Sequence, residues 1–209
     1  MDKLKWENAK VAVEEITEVL KTQPPEICYP LVQVALEHYP EIAELHSIAG
    51  VCFLLQKELE TALGYFAHAA KLAPKELRYL VNHAELLSQL DRKDEAIKIF
   101  QDVLNLDPRY ESAYIGLGNI HQEEGKMSLA AAEFARAVRF NPHSVAARNN
   151  YAVALVKLGN YVDALDETIR ILKVQPDHNT SYRRLAKLLA HLHRFDEIIT
   201  HLVEALKLF

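Results

Sequence analysis

Five prolines recur in this chain at a constant spacing of 34 residues, at Pro40, Pro74, Pro108, Pro142 and Pro176. A fixed period of this length indicates stacked copies of one supersecondary unit. A single unit cannot bury its apolar face alone, so neighbouring copies must stack to form a continuous core. The period therefore predicts a repeat protein, and that architecture favours a binding scaffold over a catalyst.

Composition supports helices and limits the classes of partner. Half of the 209 residues are hydrophobic and only six are glycine, which favours a helical protein with a sizeable core. The formal net charge of −5 argues against nucleic acid as the partner, because phosphate binding needs clustered positive charge. No apolar run approaches the roughly 18 residues of a membrane span, and the N-terminus lacks a signal-peptide pattern. We therefore expect a cytoplasmic protein without a membrane span.

Counting back from each proline divides the chain into the frames 9–42, 43–76, 77–110, 111–144, 145–178 and a shortened 179–209. Within a frame, apolar residues recur at steps of three and four, a turn follows, and the pattern starts again. This pattern predicts two antiparallel helices per frame and a single solenoid over residues 1–209, with a degenerate first repeat. Gly125, Gly159 and Asp91 stand where the first helix of their frames must end, a position suited to positive φ.

Small and aromatic residues alternate in the predicted second helices. Alanine recurs early in four of them, at Ala62, Ala96, Ala130 and Ala164, and an aromatic ring follows one turn later at Phe66, Phe100 and Phe134. A methyl group lets two helix backbones approach closely, and the ring fills the adjoining gap. Deleting one of these rings is expected to cost about 3–5 kcal/mol.

These residues resemble the tetratricopeptide repeat. The resemblance is carried by Tyr114, Leu117, Gly118, Ala130, Phe134, Ala137 and Pro142, and in an earlier frame by Gly50, Phe53, Ala62, Phe66, Ala69 and Pro74. It covers essentially the whole chain and is strongest over residues 43–178. It implies an all-α, right-handed superhelical solenoid of about six repeats, whose first helices line a concave groove and whose second helices form the outer surface.

Both ends depart from the pattern. In the first frame Pro24 and Pro25 form the predicted inter-helix turn, and Pro30 falls where the second helix is already under way. Proline is tolerated only in a first turn, so we expect a late-starting or kinked second helix there. In the last frame Ile198 takes the small-residue place, and the chain stops at the apolar residues 206–209. This end suggests a fragment of a longer protein or a surface that a partner covers.

No pattern in the sequence points to catalysis. None of the ten histidines forms a His-Glu-x-x-His pair, and there is no nucleophile elbow, phosphate-cradling glycine loop or Cys-x-x-Cys pair. Cys28 and Cys52 fall in apolar helical stretches and are interpreted as buried thiols. We assign no catalytic, cofactor-binding or metal-binding residue, and we expect a protein that is not an enzyme and uses no cofactor.

The predicted groove carries the candidate binding residues. In tetratricopeptide geometry, the groove-facing places include the second, fifth, sixth and ninth residues of each first helix. From those places we select Asn82, Asn119, Asn149, Asn150, Arg183, Arg184 and Lys187. Asparagine offers a donor and an acceptor to a peptide main chain, and arginine offers a fork that matches a carboxylate. The set predicts a protein or peptide partner, with the basic end favouring an acidic segment or a C-terminus.

Some tetratricopeptide cochaperones hold the C-terminal carboxylate of heat-shock proteins with two Lys, two Asn and one Arg. Here Asn119, Asn150 and Arg184 match the two Asn places and the Arg place. The two Lys places hold Ile115 and Thr180, so the resemblance to this clamp is partial. Arg183 or Lys187 offers replacement charge from a neighbouring turn.

Three functional hypotheses follow. The first is a non-enzymatic scaffold that holds a partner peptide or helix in the groove. The second is self-association into a homo-oligomer, because residues 1–42 hold four Lys and eight Asp or Glu, whereas residues 179–209 hold five Lys or Arg and three acids. Such ends can meet head to tail. The third is a docking domain of a larger enzyme or of a secretion or assembly machine.

Overall fold

The computed structural model of the chain describes residues 7–197 and residue 200. The described part is helical throughout and contains no strand. Within these residues the following helices succeed one another, and residues 195–197 are helical again: α1 (Ala9–Thr22), α2 (Pro25–His38), α3 (Ala43–Leu55), α4 (Leu59–Leu72), α5 (Leu77–Gln89), α6 (Lys93–Leu106), α7 (Glu111–Glu123), α8 (Met127–Phe140), α9 (Val145–Lys157), α10 (Tyr161–Val174) and α11 (Asn179–His191). They form two compact units, Met1–Val103 and Leu104–Phe209. The prediction of one solenoid over residues 1–209 stays a prediction.

The repeat prolines end the second helices, as expected. Helices α2, α4, α6, α8 and α10 each stop two residues before one of them. The residue between helix and proline has left the helical region in the four helices whose caps are described: φ is −133° at Tyr39, −132° at Ala73, −128° at Asn141 and −132° at Gln175. The proline ring excludes the α conformation from the residue before it, which explains this common geometry.

A residue in the left-handed region ends each first helix from α3 onward. Gly125 (φ 75°), Gly159 (φ 79°) and Asp91 (φ 60°) confirm the sequence prediction. The structure adds Lys57 (φ 64°) and His193 (φ 58°) at the same place in their repeats. In all five turns the next amide reaches back to a carbonyl five residues earlier, as in Glu58 N to Phe53 O at 2.9 Å. This is the Schellman closure, and the period imposes it even where the residue is not glycine.

For the second helix of the first frame the predicted late start is wrong, and the alternative, a kinked helix, stays a prediction. Helix α2 begins at Pro25, with Pro24 as its N-cap, and runs through Pro30 to His38. Proline is favoured at the first helical position because its φ is preset and its missing N–H has no partner to lose. Pro30 leaves one carbonyl, that of Glu26, without the usual amide donor. Ile198 and residues 206–209 lie outside the described residues.

The small and aromatic residues form the cores of the repeats. Ala62, Ala96, Ala130 and Ala164 are all fully buried, and Phe66, Phe100 and Phe134 are buried with them. The rings of Phe66 and Phe134 each lie over a glycine of the first helix in the same repeat. A Cβ added to Gly50 would stand 2.6 Å from Phe66 Cε1, and one added to Gly118 would stand 2.5 Å from Phe134 Cε1. Glycine at these two positions therefore makes room for the ring.

Consecutive repeats are also joined at the proline carbonyl. His46 Nε2 lies 2.7 Å from Pro40 O, Tyr114 Oη donates to Pro108 O at 2.9 Å, and Arg148 donates to Pro142 O from Nε at 2.8 Å and from Nη2 at 2.6 Å. The three donors stand six residues after their prolines. Three different side chains thus satisfy the same acceptor, which proline leaves exposed by ending the helix.

Candidate functional site

The first helices of the second unit bring four predicted groove residues into contact. Asn150 Nδ2 on α9 lies 3.4 Å from Asn119 Oδ1 on α7, and Arg184 Nη2 on α11 donates to Asn149 Oδ1 at 2.6 Å. The four side chains therefore bridge three successive first helices. We call Asn119, Asn149, Asn150 and Arg184 the polar ladder.

The ladder follows from the repeat period. Asn119 and Asn150 are 31 residues apart, which is three residues, about one helical turn, fewer than the 34-residue period. Asn149 and Arg184 are 35 residues apart, which is one residue more than the period. Residues offset in this way lie on facing sides of adjacent first helices. Asn119 is exposed, and the other three are half-buried. The ladder is therefore open to a ligand while its members hold one another in place.

Arg184 keeps an unused donor. Its Nη1 atom is buried and has no hydrogen-bond partner among the described residues. Burial alone lowers the pKa of the Arg184 guanidinium. Arg183 and Lys187 are exposed on the same helix, four residues and thus about one turn apart. This end of the ladder is cationic, and a buried N–H without a partner favours binding of an acceptor.

Asn82 lies in the first compact unit, on α5. It is half-buried and lines a small cavity of about 110 Å³ with Leu54 of α3, Phe66 of α4 and Leu86 of α5. Glu85 and Gln89 of α5 also line this cavity, so the amide of Asn82 is one of three polar side-chain groups there. The described contacts connect it to none of the ladder residues, which belong to the second unit.

The two places that hold lysine in the carboxylate clamp do not carry a positive charge here. Ile115 is half-buried on α7, and Thr180 is exposed at the start of α11. Among the predicted groove residues, the positive charge lies on α11, at Arg183, Arg184 and Lys187.

The two cysteines belong to the core of the first unit, as predicted. Cys28 and Cys52 are free and fully buried beside Ile16 and Ile48. Burial raises the pKa of both thiols, that of Cys52 to about 12. Neither thiol is a nucleophile near neutral pH, because the reactive form is the thiolate. Within the described residues no group of three or more His, Cys, Asp or Glu could hold a metal ion.

Sequence reasoning missed a second concavity, in the first unit. His46 of α3 and Thr61, Gly64, Tyr65 and His68 of α4 line a cavity of about 220 Å³. Its signal in the sequence is Gly64, a glycine in the middle of a helical pattern. Such a glycine costs about 1 kcal/mol relative to alanine and usually has a packing or functional reason.

No helix of the described part is long and apolar enough to cross a bilayer.

Tetratricopeptide repeat models match residues 31–76, 81–145 and 121–192. Anaphase-promoting complex subunit 3 of Schizosaccharomyces pombe is 28% identical over 173 residues, which cover 82% of this chain and 26% of that protein. The chain thus spans about a quarter of the length of this relative.

Solved structures show the same fold at low identity. The pilF protein of Pseudomonas aeruginosa superposes with a TM-score of 0.78 at 19% identity, covering 96% of this chain and 91% of that one. Yeast Tom70 superposes with a TM-score of 0.78 at 15% identity, covering 97% of this chain and 43% of that one. Identities this low support the repeat solenoid fold and carry no information on the partner.

Proposed function

This chain belongs to the tetratricopeptide repeat family, and from that membership we propose that it holds a segment of a partner protein on the first helices of its second unit. Proteins of this family are in general non-catalytic scaffolds for protein–protein interaction. Function must still be argued from the site, because the fold serves many partners.

The polar ladder is the observation that supports this proposal. Its asparagine amides offer donors and acceptors, which suit the alternating N–H and C=O groups of a peptide main chain. Asn119–Asn150 is a long contact of 3.4 Å, so exchange of this bond for one to a ligand costs little. An extended segment or a helix is the expected occupant. Asn82 stays a predicted binding residue of the first unit.

The cationic end of the ladder favours an acidic portion of that segment. Arg184 Nη1 is a buried donor without a partner in the described part of the chain, and Arg183 and Lys187 are exposed on the same helix. A carboxylate at this point would satisfy the unused N–H and gain from all three charges. The acid is either a side chain or a C-terminus, and both present the same carboxylate chemistry.

The experiment uses the full chain and a displayed library of random 16-residue peptides. Peptides selected on the unmodified chain are then tested against the variant Asn119→Ala/Asn150→Ala/Arg184→Ala by fluorescence anisotropy. Loss of two neutral hydrogen bonds and one charged bond, together about 3 kcal/mol, predicts affinity lower by about 100-fold. Selected peptides should be rich in Asp and Glu.

The control replaces exposed residues of the second helices, Asn105→Ala/Arg139→Ala, which removes an amide and a charge elsewhere. It should bind the selected peptides like the unmodified chain. Circular dichroism must show equal helicity in both variants. Peptides that bind the triple variant as tightly as the unmodified chain would refute the ladder as the binding surface.

A docking domain of a larger assembly is the second candidate. The observation that favours it is that the chain spans 26% of a relative whose name identifies it as a subunit of a complex. A coding sequence that continues past Phe209 supports this candidate, and a stop codon there contradicts it. Self-association stays a prediction. Light scattering across concentration and salt tests it, because charge-driven stacking weakens with ionic strength.

A further inference from the structure

The cavity between α3 and α4 of the first unit has a regular construction. Thr61, Gly64, Tyr65 and His68 are spaced by three, one and three residues, so they form one face of α4. His46 closes the opposite side from α3. None of these residues belongs to the polar ladder or to the other predicted groove positions, so the cavity needs its own explanation.

His46, which lines this cavity, has a ring nitrogen without a hydrogen-bond partner among the described residues. Its Nε2 lies 2.7 Å from Pro40 O, and a carbonyl only accepts, so Nε2 carries the proton. The neutral ring therefore has its lone pair on Nδ1. That atom is buried and receives no hydrogen bond from any described residue. A ligand that satisfies it must be an N–H or O–H donor.

Aromatic faces form the walls. The ring centroids of His46 and His68 are 4.3 Å apart, and those of His46 and Tyr65 are 6.1 Å apart. Tyr65 is held from behind, because its ring stacks on Phe53 at 5.5 Å and its hydroxyl lies 2.9 Å from that of Tyr29. Fixed rings of this kind bind flat or cationic groups through their faces.

Two carboxylates lie close to residues that line the cavity. No lysine or arginine lines it. Glu41 lies close enough to act electrostatically on His46, and the carboxylate of Glu58 accepts a hydrogen bond from Thr61 at 3.5 Å. An anionic ligand is disfavoured here, and a cation is favoured.

From this combination we propose that the cavity binds the guanidinium group of an arginine side chain on a partner protein. A guanidinium is planar, stacks on aromatic faces and carries five N–H donors in a rigid fork. One N–H reaches Nδ1 of His46, the plane lies against His68 and Tyr65, and the charge faces Glu41 and Glu58. The ammonium of lysine lacks the plane and is more strongly hydrated, so it fits this site less well.

The test is a titration of the full, isotope-labelled chain with N-acetyl-arginine amide, followed by amide chemical shifts. The matched probes are N-acetyl-citrulline amide, which keeps the shape without the charge, and N-acetyl-lysine amide, which keeps the charge without the plane. The arginine probe should move the amide signals of Gly64, Tyr65 and His68 with millimolar affinity. The other two should bind at least about tenfold more weakly, as one cation–π or charged contact is lost.

Gly64 supplies a blocking variant and its control. A Cβ added to Gly64 meets nothing within 4 Å, so larger side chains at this exposed position are compatible with the fold. Gly64→Phe fills the mouth of the cavity and should abolish the arginine shifts, whereas Gly64→Ala should keep them. Binding of arginine that survives Gly64→Phe, equal responses to the three probes, or no saturable shift with arginine would each overturn the proposal.

Discussion

The repeat 43–76 in the first unit and the repeat 145–178 in the second use equivalent positions in different ways. His46 and Arg148 stand 102 residues apart, three periods, and both bond to the carbonyl of the preceding repeat proline. Tyr65 and Glu167 are likewise equivalent. Arg148 is buried and forms an ion pair with Glu167, so its donors are used. His46 instead leaves Nδ1 without a partner beside a cavity.

Three further positions differ between these repeats. Gly50 lies under the ring of Phe66, whereas the second unit has Ala152 and Thr168 at the equivalent places, both fully buried. The Thr168 hydroxyl bonds to Ala164 O at 2.7 Å. The first helix ends at Lys57 in one repeat and at Gly159 in the other, with φ of 64° and 79°. The same backbone therefore accommodates different side chains at equivalent positions. The repeat 43–76 leaves a polar side-chain atom without a hydrogen-bond partner among the described residues, and such an atom is available to a ligand.

The largest expected effect is at the buried ion pair. Glu167→Ala leaves the Arg148 guanidinium buried without its carboxylate and should lower the free energy of unfolding by about 3–5 kcal/mol. Tyr65→Phe, the matched change in the other repeat, removes one hydroxyl contact and should cost about 1 kcal/mol. Urea unfolding followed by circular dichroism measures both. Equal losses would show that the two repeats do not differ at this position.

The second prediction concerns Gly50. Its substitution by alanine puts a methyl group against the Phe66 ring and should destabilise the chain by about 1–3 kcal/mol, although alanine favours helix. Gly64→Ala in the same repeat adds the methyl group to open space and should stabilise by about 0.5–1 kcal/mol. Thermal unfolding shows whether each variant has a lower or a higher melting temperature than the unmodified chain. Shifts of the same sign would contradict the packing argument.

The third prediction concerns the helix-ending residues. Lys57→Gly removes the strain of an L-residue in the left-handed region and should stabilise by about 1 kcal/mol. Gly159→Ala introduces that strain at the equivalent place and should destabilise by a similar amount. The urea midpoints of the two variants and of the unmodified chain measure both effects. If Lys57→Gly lowers the midpoint, the contacts of the lysine side chain stabilise the fold by more than its backbone strain destabilises it.

The smallest effect is a pH dependence confined to the first unit. Burial lowers the pKa of His46, and the charge of nearby His68 acts in the same direction, while the bond to Pro40 and the charge of Glu41 oppose it. A lowered pKa means that the fold favours the neutral ring. This contribution to stability is therefore complete above pH of about 6.5 and is lost as the pH falls through the folded value.

His46→Gln keeps a donor for Pro40 O and removes the titration. The difference in urea midpoint between the unmodified chain and this variant should change between pH 8 and pH 5, with the unmodified chain losing more at pH 5. A difference that stays constant over this range would exclude His46 as the titrating group.

Much of the helical framework could be predicted from residues that recur. The prolines located the ends of the second helices, and Gly125, Gly159 and Asp91 located turns, because each of these residues has a restricted or permissive φ that acts locally. The predicted late start of α2 is wrong because Pro25 takes the first helical position, where its preset φ favours the helix, and the helix continues through Pro30. Lys57 and His193 were missed because nothing in their own chemistry favours positive φ.

The candidate surfaces were less predictable. The seven groove residues could be selected by position, but their pairing depends on the angle and offset between neighbouring helices. The structure pairs Asn119 with Asn150 and Arg184 with Asn149. The aromatic cavity was missed, since its lining side chains come from two helices and a glycine gives little signal alone.

The sequence by itself determined the repeat, the helix pairs and the family, because a 34-residue period imposes the same local geometry wherever it recurs. The tertiary structure decided which polar atoms remain without partners, such as Arg184 Nη1 and His46 Nδ1. The physical reason is that hydrogen-bond satisfaction depends on atoms from different helices meeting within about 3 Å. The 34-residue period predicts where the helices lie along the chain, but it does not predict the distance between individual side-chain atoms of neighbouring helices.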